Sequence, residues 1–231
     1  MRRAAGAREL LDGHVPLGDR LASLADVERL NAWFGGHALS LARVRRAARA
    51  VPRDCTLVVL DVGGGGGGFA RRVARWARRH HRAVRIVVVD RDEPTAALAR
   101  EVCAGHPEIH VIRADATALP AGVASAHVVH AALTLHHLEP VAAVAALAEM
   151  ARVARGRVVI NDLARTRLAL ALVWLATRLL PMHPVSRHDG PLSVRRAYAP
   201  TELADLFRKA GLSRMIVRRY PPIARLVAES S

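Results

Sequence analysis

Three aspartates, Asp61, Asp90 and Asp115, each close an apolar run (TLVVLDV, RIVVVD and HVIRAD), and six consecutive glycines, Gly63 to Gly68, follow the first of them. A carboxylate at a strand end can accept hydrogen bonds from ribose hydroxyls or from an exocyclic amine. Glycine lets the backbone curl at positive φ and approach a ligand closely, at an entropic cost that only such a need justifies. Gly63, Gly65 and Gly68 satisfy a dinucleotide GxGxxG, whereas Asp61, Gly63, Gly65 and Gly67 satisfy an acidic-x-GxGxG loop, so the loop alone leaves both open. No lysine followed by Ser or Thr comes after it, which excludes a P-loop. Histidine is the natural proton acceptor near neutral pH. Of twelve histidines, His136 and His137 follow the fourth apolar run, and His188 lies in PVSRHDGPLSVRRAY beside Asp189.

The elements that must position these groups follow from hydrophobic spacing. Apolar, β-branched runs recur at TLVVLDV (56–62), RIVVVD (85–90), HVIRAD (110–115), AHVVHAALTL (126–135) and RVVINDL (157–163). Helical patterns lie between them: FARRVARWARRH puts Phe69, Val73 and Trp76 on one face, and two others open with Glu-Pro, a helix-start signal. Continuous apolar strands alternating with helices imply a doubly wound α/β fold with a mostly parallel sheet. Residues 1–50 read as an N-terminal helical cap, broken at Gly35-Gly36, over the open end of the sheet, and residues 51–231 as the α/β domain. The C-terminal TELADLFRKAGL is a helix stopped by Gly211, and SRMIVRRY and ARLVAE predict an antiparallel hairpin.

Net charge is +15, yet Lys209 is the only lysine, the arginines are dispersed, and aromatic residues make up 3% of the chain. Arginine and alanine dominance points to a GC-rich coding bias more than to a nucleic-acid surface; RNA stays a minority reading. Cys55 and Cys103 are isolated, in neither a CxxC pair nor a metal spacing, and no metal site is expected. MRRAAGARELLDGHVP has no apolar run before Pro16, so no signal peptide is read and the expected location is cytoplasmic.

Taken together, LDVGGGGGGFA, VVVD, ADATALP and LTLHHLEP resemble the class I S-adenosylmethionine-dependent methyltransferases over about residues 56–163, with the C-terminal helix and hairpin beyond. The resemblance implies a seven-stranded, Rossmann-like sheet with an antiparallel C-terminal strand, and S-adenosylmethionine as cofactor. It implies that Gly63, Gly65 and Gly67 let backbone pass the methionine portion, that Asp61 orders the loop, that Asp90 takes the ribose hydroxyls and that Asp115 takes the adenine amine. Arg91, Ala116 and Leu133 complete the implied cofactor set. The chain departs from the family at positions 64, 66 and 68, which commonly carry side chains; a looser loop and weaker cofactor affinity are expected.

Methyl transfer from a sulfonium centre needs mainly a positioned acceptor, plus a base where a hydroxyl must lose its proton. His136 and His188 are the candidate bases. NDLART and RHDGPLSVRRAYAPTEL look like a bacterial subgroup linked to phenolic polyketides and quinones, which implies O-methylation of a phenolic natural product. C-methylation of the same class, RNA methylation, and a non-methylating cofactor-binding or cyclase homologue are the alternatives. Residues 163–199 read as a helical and loop insertion forming part of the acceptor pocket. Within it, Leu168–Leu180 is too short to span a bilayer and apolar nearly all round. Such a helix is expected to be buried, walling an acceptor pocket for a lipophilic or aromatic substrate; a peripheral membrane contact is a weaker reading. A homodimer is kept open as an expectation, with no sequence feature that fixes the oligomeric state.

Overall fold

Strands β1 (Leu57–Val62), β2 (Val84–Asp90), β3 (Ile109–Arg113), β4 (Ala126–Ala132) and β5 (Ala154–Leu163) form where the apolar runs stand in the computed structural model, which describes residues 1–230. They pair in parallel, and β6 (Met215–Tyr220) and β7 (Arg225–Ser230) complete a seven-stranded sheet of order β3-β2-β1-β4-β5-β7-β6. Only β7 runs against its neighbours β5 and β6. The doubly wound, seven-stranded fold expected from the sequence is therefore the one observed.

Successive side chains of β1 enter opposite cores. Val59 joins Phe69, Val73, Val88 and Val44 on one face, while Leu60 and Val62 join Leu147, Leu203 and Phe207 on the other. The first face is covered by α2 (Gly36–Ala48), α3 (Gly68–Arg79) and α4 (Glu93–Cys103), the second by α5 (Pro140–Val153) and α8 (Pro200–Lys209). Burial on both faces is what makes the strands continuous apolar runs.

Three helices stand beyond the carboxyl ends of the strands: α1 (Leu17–Trp33), α6 (Arg167–Leu179) and α7 (Pro184–Arg196). Residues 1–50, expected as one cap, divide between two places. α1 caps the open end, but Val44 and Ala47 of α2 are core residues packed on the sheet, because their spacing sets one apolar stripe against β4 and β5. The expected burial of α6 is also corrected. Only Ala169 and Thr177 of that helix are buried, and Leu168, Trp174, Leu175 and Leu179 face solvent. α6 lies against α7, where Gly190 brings the two together: a Cβ there would meet Thr177 and Val173 at 3.0 and 3.2 Å. Among the described residues, no helix is long and apolar enough to cross a membrane.

Candidate functional site

A cavity of about 1370 Å³ opens at the carboxyl end of the sheet, between the strand ends and α1, α6 and α7. This is the place where doubly wound sheets bind ligands. The first strand-to-helix turn enters it tightly folded: the N–H groups of Gly63 and Gly64 both donate to Val89 O, at 2.7 and 3.1 Å, and Gly67 N–H donates to Gly64 O at 3.1 Å. Gly63, at φ +67, could carry no Cβ, since it would lie 2.4 Å from Thr134 Oγ1. Gly65 has φ +54 and no atom within 4 Å of its would-be Cβ, so its backbone is bare to the cavity.

Gly67 is a correction. It does not line the cavity; it is the buried N-cap of α3, where a Cβ would meet Cys103 Sγ at 2.6 Å. Its glycine serves the packing of α3 on α4. Two of the three positions that commonly carry side chains in the family are crowded here. A Cβ at Gly64 would strike Val88 and Asp61, and one at Gly68 would sit 2.0 Å from the Glu28 carboxylate, which is held over α3 by His37 Nε2 at 3.0 Å. Gly66 alone is open, with Leu98 at an ordinary 3.5 Å. Gly66→Thr is therefore expected to keep the melting temperature and to tighten cofactor binding severalfold by restricting the free loop. Gly63→Ala, forced against Thr134 at positive φ, is expected to lower stability by about 1–3 kcal/mol and to lose binding. Thermal melts and calorimetric titration of the two variants check this.

The carboxylates behave differently from one another. Asp90 Oδ2 accepts Gly65 N–H at 3.1 Å and Oδ1 accepts Asp92 N–H at 3.0 Å. Burial pushes its pKa up against the pull of those two N–H groups. Asp115 accepts the N–H and hydroxyl of Thr117 through Oδ1, at 2.8 and 2.7 Å, and these hold its pKa down. Asp61 is buried, and its Oδ1 accepts from His130 Nδ1 at 2.7 Å; His130 Nε2 in turn meets Ser40 Oγ at 2.8 Å. Asp61 Oδ2 has no partner, although it is buried at the cavity wall. An orphaned carboxylate oxygen there fits a ligand bearing a positive or N–H group. Arg91, Ala116 and Leu133 also line the cavity, and Leu133 holds a positive φ of 53°, a conformation that non-glycine residues adopt at cost.

The two candidate bases separate. His136 is buried at the cavity wall, its Nδ1 meeting Asp162 Oδ1 at 2.6 Å and its backbone N–H donating to Asp162 Oδ2 at 3.1 Å. Burial raises the pKa of Asp162, but the charge and hydrogen bond of His136, the Leu163 N–H and the Arg225 charge together outweigh it, so the carboxylate lies below its ordinary range. His188 does not line the cavity: its side chain is 52% exposed, with Nδ1 on Asp189 Oδ1 at 2.8 Å. The helical repeat of α7 turns Ser186, Asp189, Gly190 and Ser193 inward, leaving His188 outside.

A group that sequence reasoning missed faces His136. The 3-10 turn Leu10–Asp12 is tied to α7 by Asp189, which accepts the N–H groups of Leu10 and Leu11 at 2.8 and 3.0 Å. This places the buried Glu9 with Oε1 3.8 Å from His136 Nε2 and Oε2 3.8 Å from His137 Nε2. Arg196 Nη1 stands 3.6 Å from Glu9 Oε1 and also pairs with Asp12, which accepts from His137 Nδ1 at 2.8 Å. Glu9, His136 and His137 are close enough to share a cation. The guanidinium already supplies the positive charge there, so we read the cluster as one that handles protons.

Burial raises Glu9 from 4.5 to about 7, against the lowering pull of His137, Ser193 and Arg196 and with help from Asp12. The folded chain thus keeps a proton between these two values that the unfolded chain releases. This contribution to stability is present below pH 4.5 and is lost as pH rises through about 7. It amounts to about 3 kcal/mol at 1.36 kcal/mol per unit. Glu9→Gln is expected to flatten the fall in unfolding free energy between pH 5 and pH 7.5 seen by denaturant titration.

Residues 59–157 match the family model described as a methyltransferase domain. No curated protein matches the sequence. Among solved structures, the citrinin polyketide synthase CMeT domain is similar over 84% of this chain and 52% of its own, at 16% identity and a TM-score of 0.64. The chain spans about half the length of that protein. The CurJ carbon methyltransferase is similar over 94% of this chain and 62% of its own, at 12% identity and a TM-score of 0.69. A SAM-dependent methyltransferase from Aquifex aeolicus is similar over 80% of this chain and 87% of its own, at 18% identity and a TM-score of 0.56. Residues 59–157 thus match a methyltransferase-domain model, and they sit in a fold shared with a SAM-dependent methyltransferase.

Proposed function

We propose that the protein transfers the methyl group of S-adenosylmethionine to a small lipophilic acceptor, with a phenolic hydroxyl of the polyketide or quinone type as the leading substrate. The observation that carries this is one cavity whose lining holds both a polar and an apolar part. The polar part includes the bare backbone of Gly65, the orphaned oxygen of Asp61, and Asp90, Arg91 and Asp115; the apolar part includes Leu138, Leu163, Leu172, Val173 and Ala176, and His136 lines the same cavity. In the polar part, Asp90 would take the ribose hydroxyls, Asp115 the adenine amine through Oδ2, and Asp61 Oδ2 the amino group.

When bound, the cofactor supplies an electrophilic methyl on a sulfonium whose departure needs no acid. What the chain must add is position and a proton acceptor. The apolar walls orient the acceptor and exclude water. His136 Nε2 takes the hydroxyl proton, Asp162 fixes the ring through Nδ1, and the charged form of Glu9 stabilises the imidazolium so formed. Purified protein with S-adenosylmethionine is expected to methylate members of a panel of substituted phenols, read by S-adenosylhomocysteine release. Methylation of tRNA or rRNA with no phenol accepted would overturn the reading. Transfer to an acidic carbon of the same substrate class is the second reading, favoured by the likeness to the CurJ carbon methyltransferase; product NMR separates the two.

A further inference from the structure

We propose that the outer face of α6 docks the protein on anionic phospholipid membranes, so that the apolar half of the cavity receives its acceptor from the bilayer. The docking stands on the surface itself; the delivery of an acceptor rests on the methyltransferase reading above.

α6 is a single layer between cavity and solvent. Its inner side chains Leu172, Val173, Ala176 and Thr177 line the cavity. Its outer side carries Leu168 at 53% exposure, Trp174 at 50%, Leu175 at 46% and Leu179 at 73%. Leu168, Leu175 and Leu179 recur at the spacing of one helical stripe, so the helix is apolar on both sides for two different reasons. The inner side faces a pocket, and the outer side is left largely uncovered by the described residues.

The charges around that stripe select the partner. From Leu163 to His188 the chain holds Arg167, Arg178 and Arg187, besides Arg165, whose side chain is buried and paired with Glu202, and no acidic residue, within a protein of net charge +15. Arg178 lies 5.5 Å from the Trp174 ring centroid, joining a guanidinium to an indole as suits the headgroup level of a bilayer. Basic residues of this kind are attracted to anionic lipid, while Leu and Trp enter the acyl boundary. A second copy of the chain fits less well. Thirteen residues of helix give a face about 20 Å long and one helix wide, roughly 200 Å², against about 800 Å² per partner in a stable interface. A surface-bound amphipathic helix needs only one such face. Trp33 at 60% exposure and Phe34 at 43% add apolar surface at the end of α1, and Phe34 also lines the cavity.

The test is co-sedimentation of the full chain with phosphatidylcholine vesicles, with and without phosphatidylglycerol, at low salt. The wild type is expected to sediment with the phosphatidylglycerol vesicles, with a blue shift of tryptophan emission. Leu175→Glu/Leu179→Glu, at positions outside the cavity lining, is expected to weaken that binding at least about tenfold while keeping its melting temperature and its S-adenosylhomocysteine binding. Arg167→Glu is expected to weaken it severalfold. The proposal is overturned if the wild type stays in the supernatant, if the double variant binds vesicles like the wild type, or if gel filtration shows a dimer that the double substitution dissociates. Calorimetric titration of the same preparations with S-adenosylhomocysteine reads the methyltransferase claim separately: vesicle binding without cofactor binding would sink that claim and leave the docking intact.

Discussion

His136→Gln and Asp162→Asn are each expected to lower the methyl-transfer rate about 10²- to 10⁴-fold, the range of a lost general base. The structural reason is that Asp162 has little freedom to do anything else. Its two oxygens accept the Nδ1 and backbone N–H of His136 and the N–H of Leu163, at 2.6, 3.1 and 2.7 Å. A neutral amide at 162 would point donors at one of these donors and loosen the ring. Asp162 is a positioning residue, so its effect should vanish once the imidazole is gone: the His136→Gln/Asp162→Asn pair is expected to be no slower than His136→Gln alone. Single-turnover rates at saturating cofactor measure this, and S-adenosylhomocysteine titration shows that each variant remains folded. A His136→Gln enzyme within threefold of wild type would remove His136 from the chemistry.

The second large effect belongs to Asp90. Its side chain accepts the Gly65 and Asp92 N–H groups and lines the cavity, where, on the proposed function, its remaining lone pairs take two ribose hydroxyls. Hydrogen bonds to a charged group contribute about 1.5–3 kcal/mol each, so Asp90→Ala is expected to weaken S-adenosylhomocysteine binding at least about 100-fold. Asp115→Ala, at an exposed position with one oxygen already committed to Thr117, is expected to cost less.

These two residues illustrate what the sequence could and could not disclose. Asp90 was legible because it ends an apolar run about twenty residues past a glycine loop, and strand ends in this topology converge on one cavity. Asp162 stood in the NDL of β5, and His130 in the middle of β4. A polar side chain inside a strand covered on both faces is itself a signal, because burial demands a partner. The pairings with His136 and Asp61 cross between strands and needed the register to appear. Glu9 and Asp12 gave no signal at all: they reach the site because the N-terminal segment crosses the chain to Asp189 of α7. The resemblance implies one shared role for Gly63, Gly65 and Gly67, yet Gly63 answers Thr134, Gly67 answers Cys103, and of the three only Gly65 faces the cavity bare. α6 misled in the opposite way, since apolar residues all round a helix suggest burial, and the fold leaves one side uncovered.

The central claim is that this cavity binds S-adenosylmethionine. Calorimetric titration of the wild-type protein with S-adenosylmethionine and S-adenosylhomocysteine, with NAD as control, tests it most directly. The account predicts saturable one-site binding of the first two, none of NAD, and loss of both in Asp90→Ala; heat with NAD alone, or with none of the three, would contradict it.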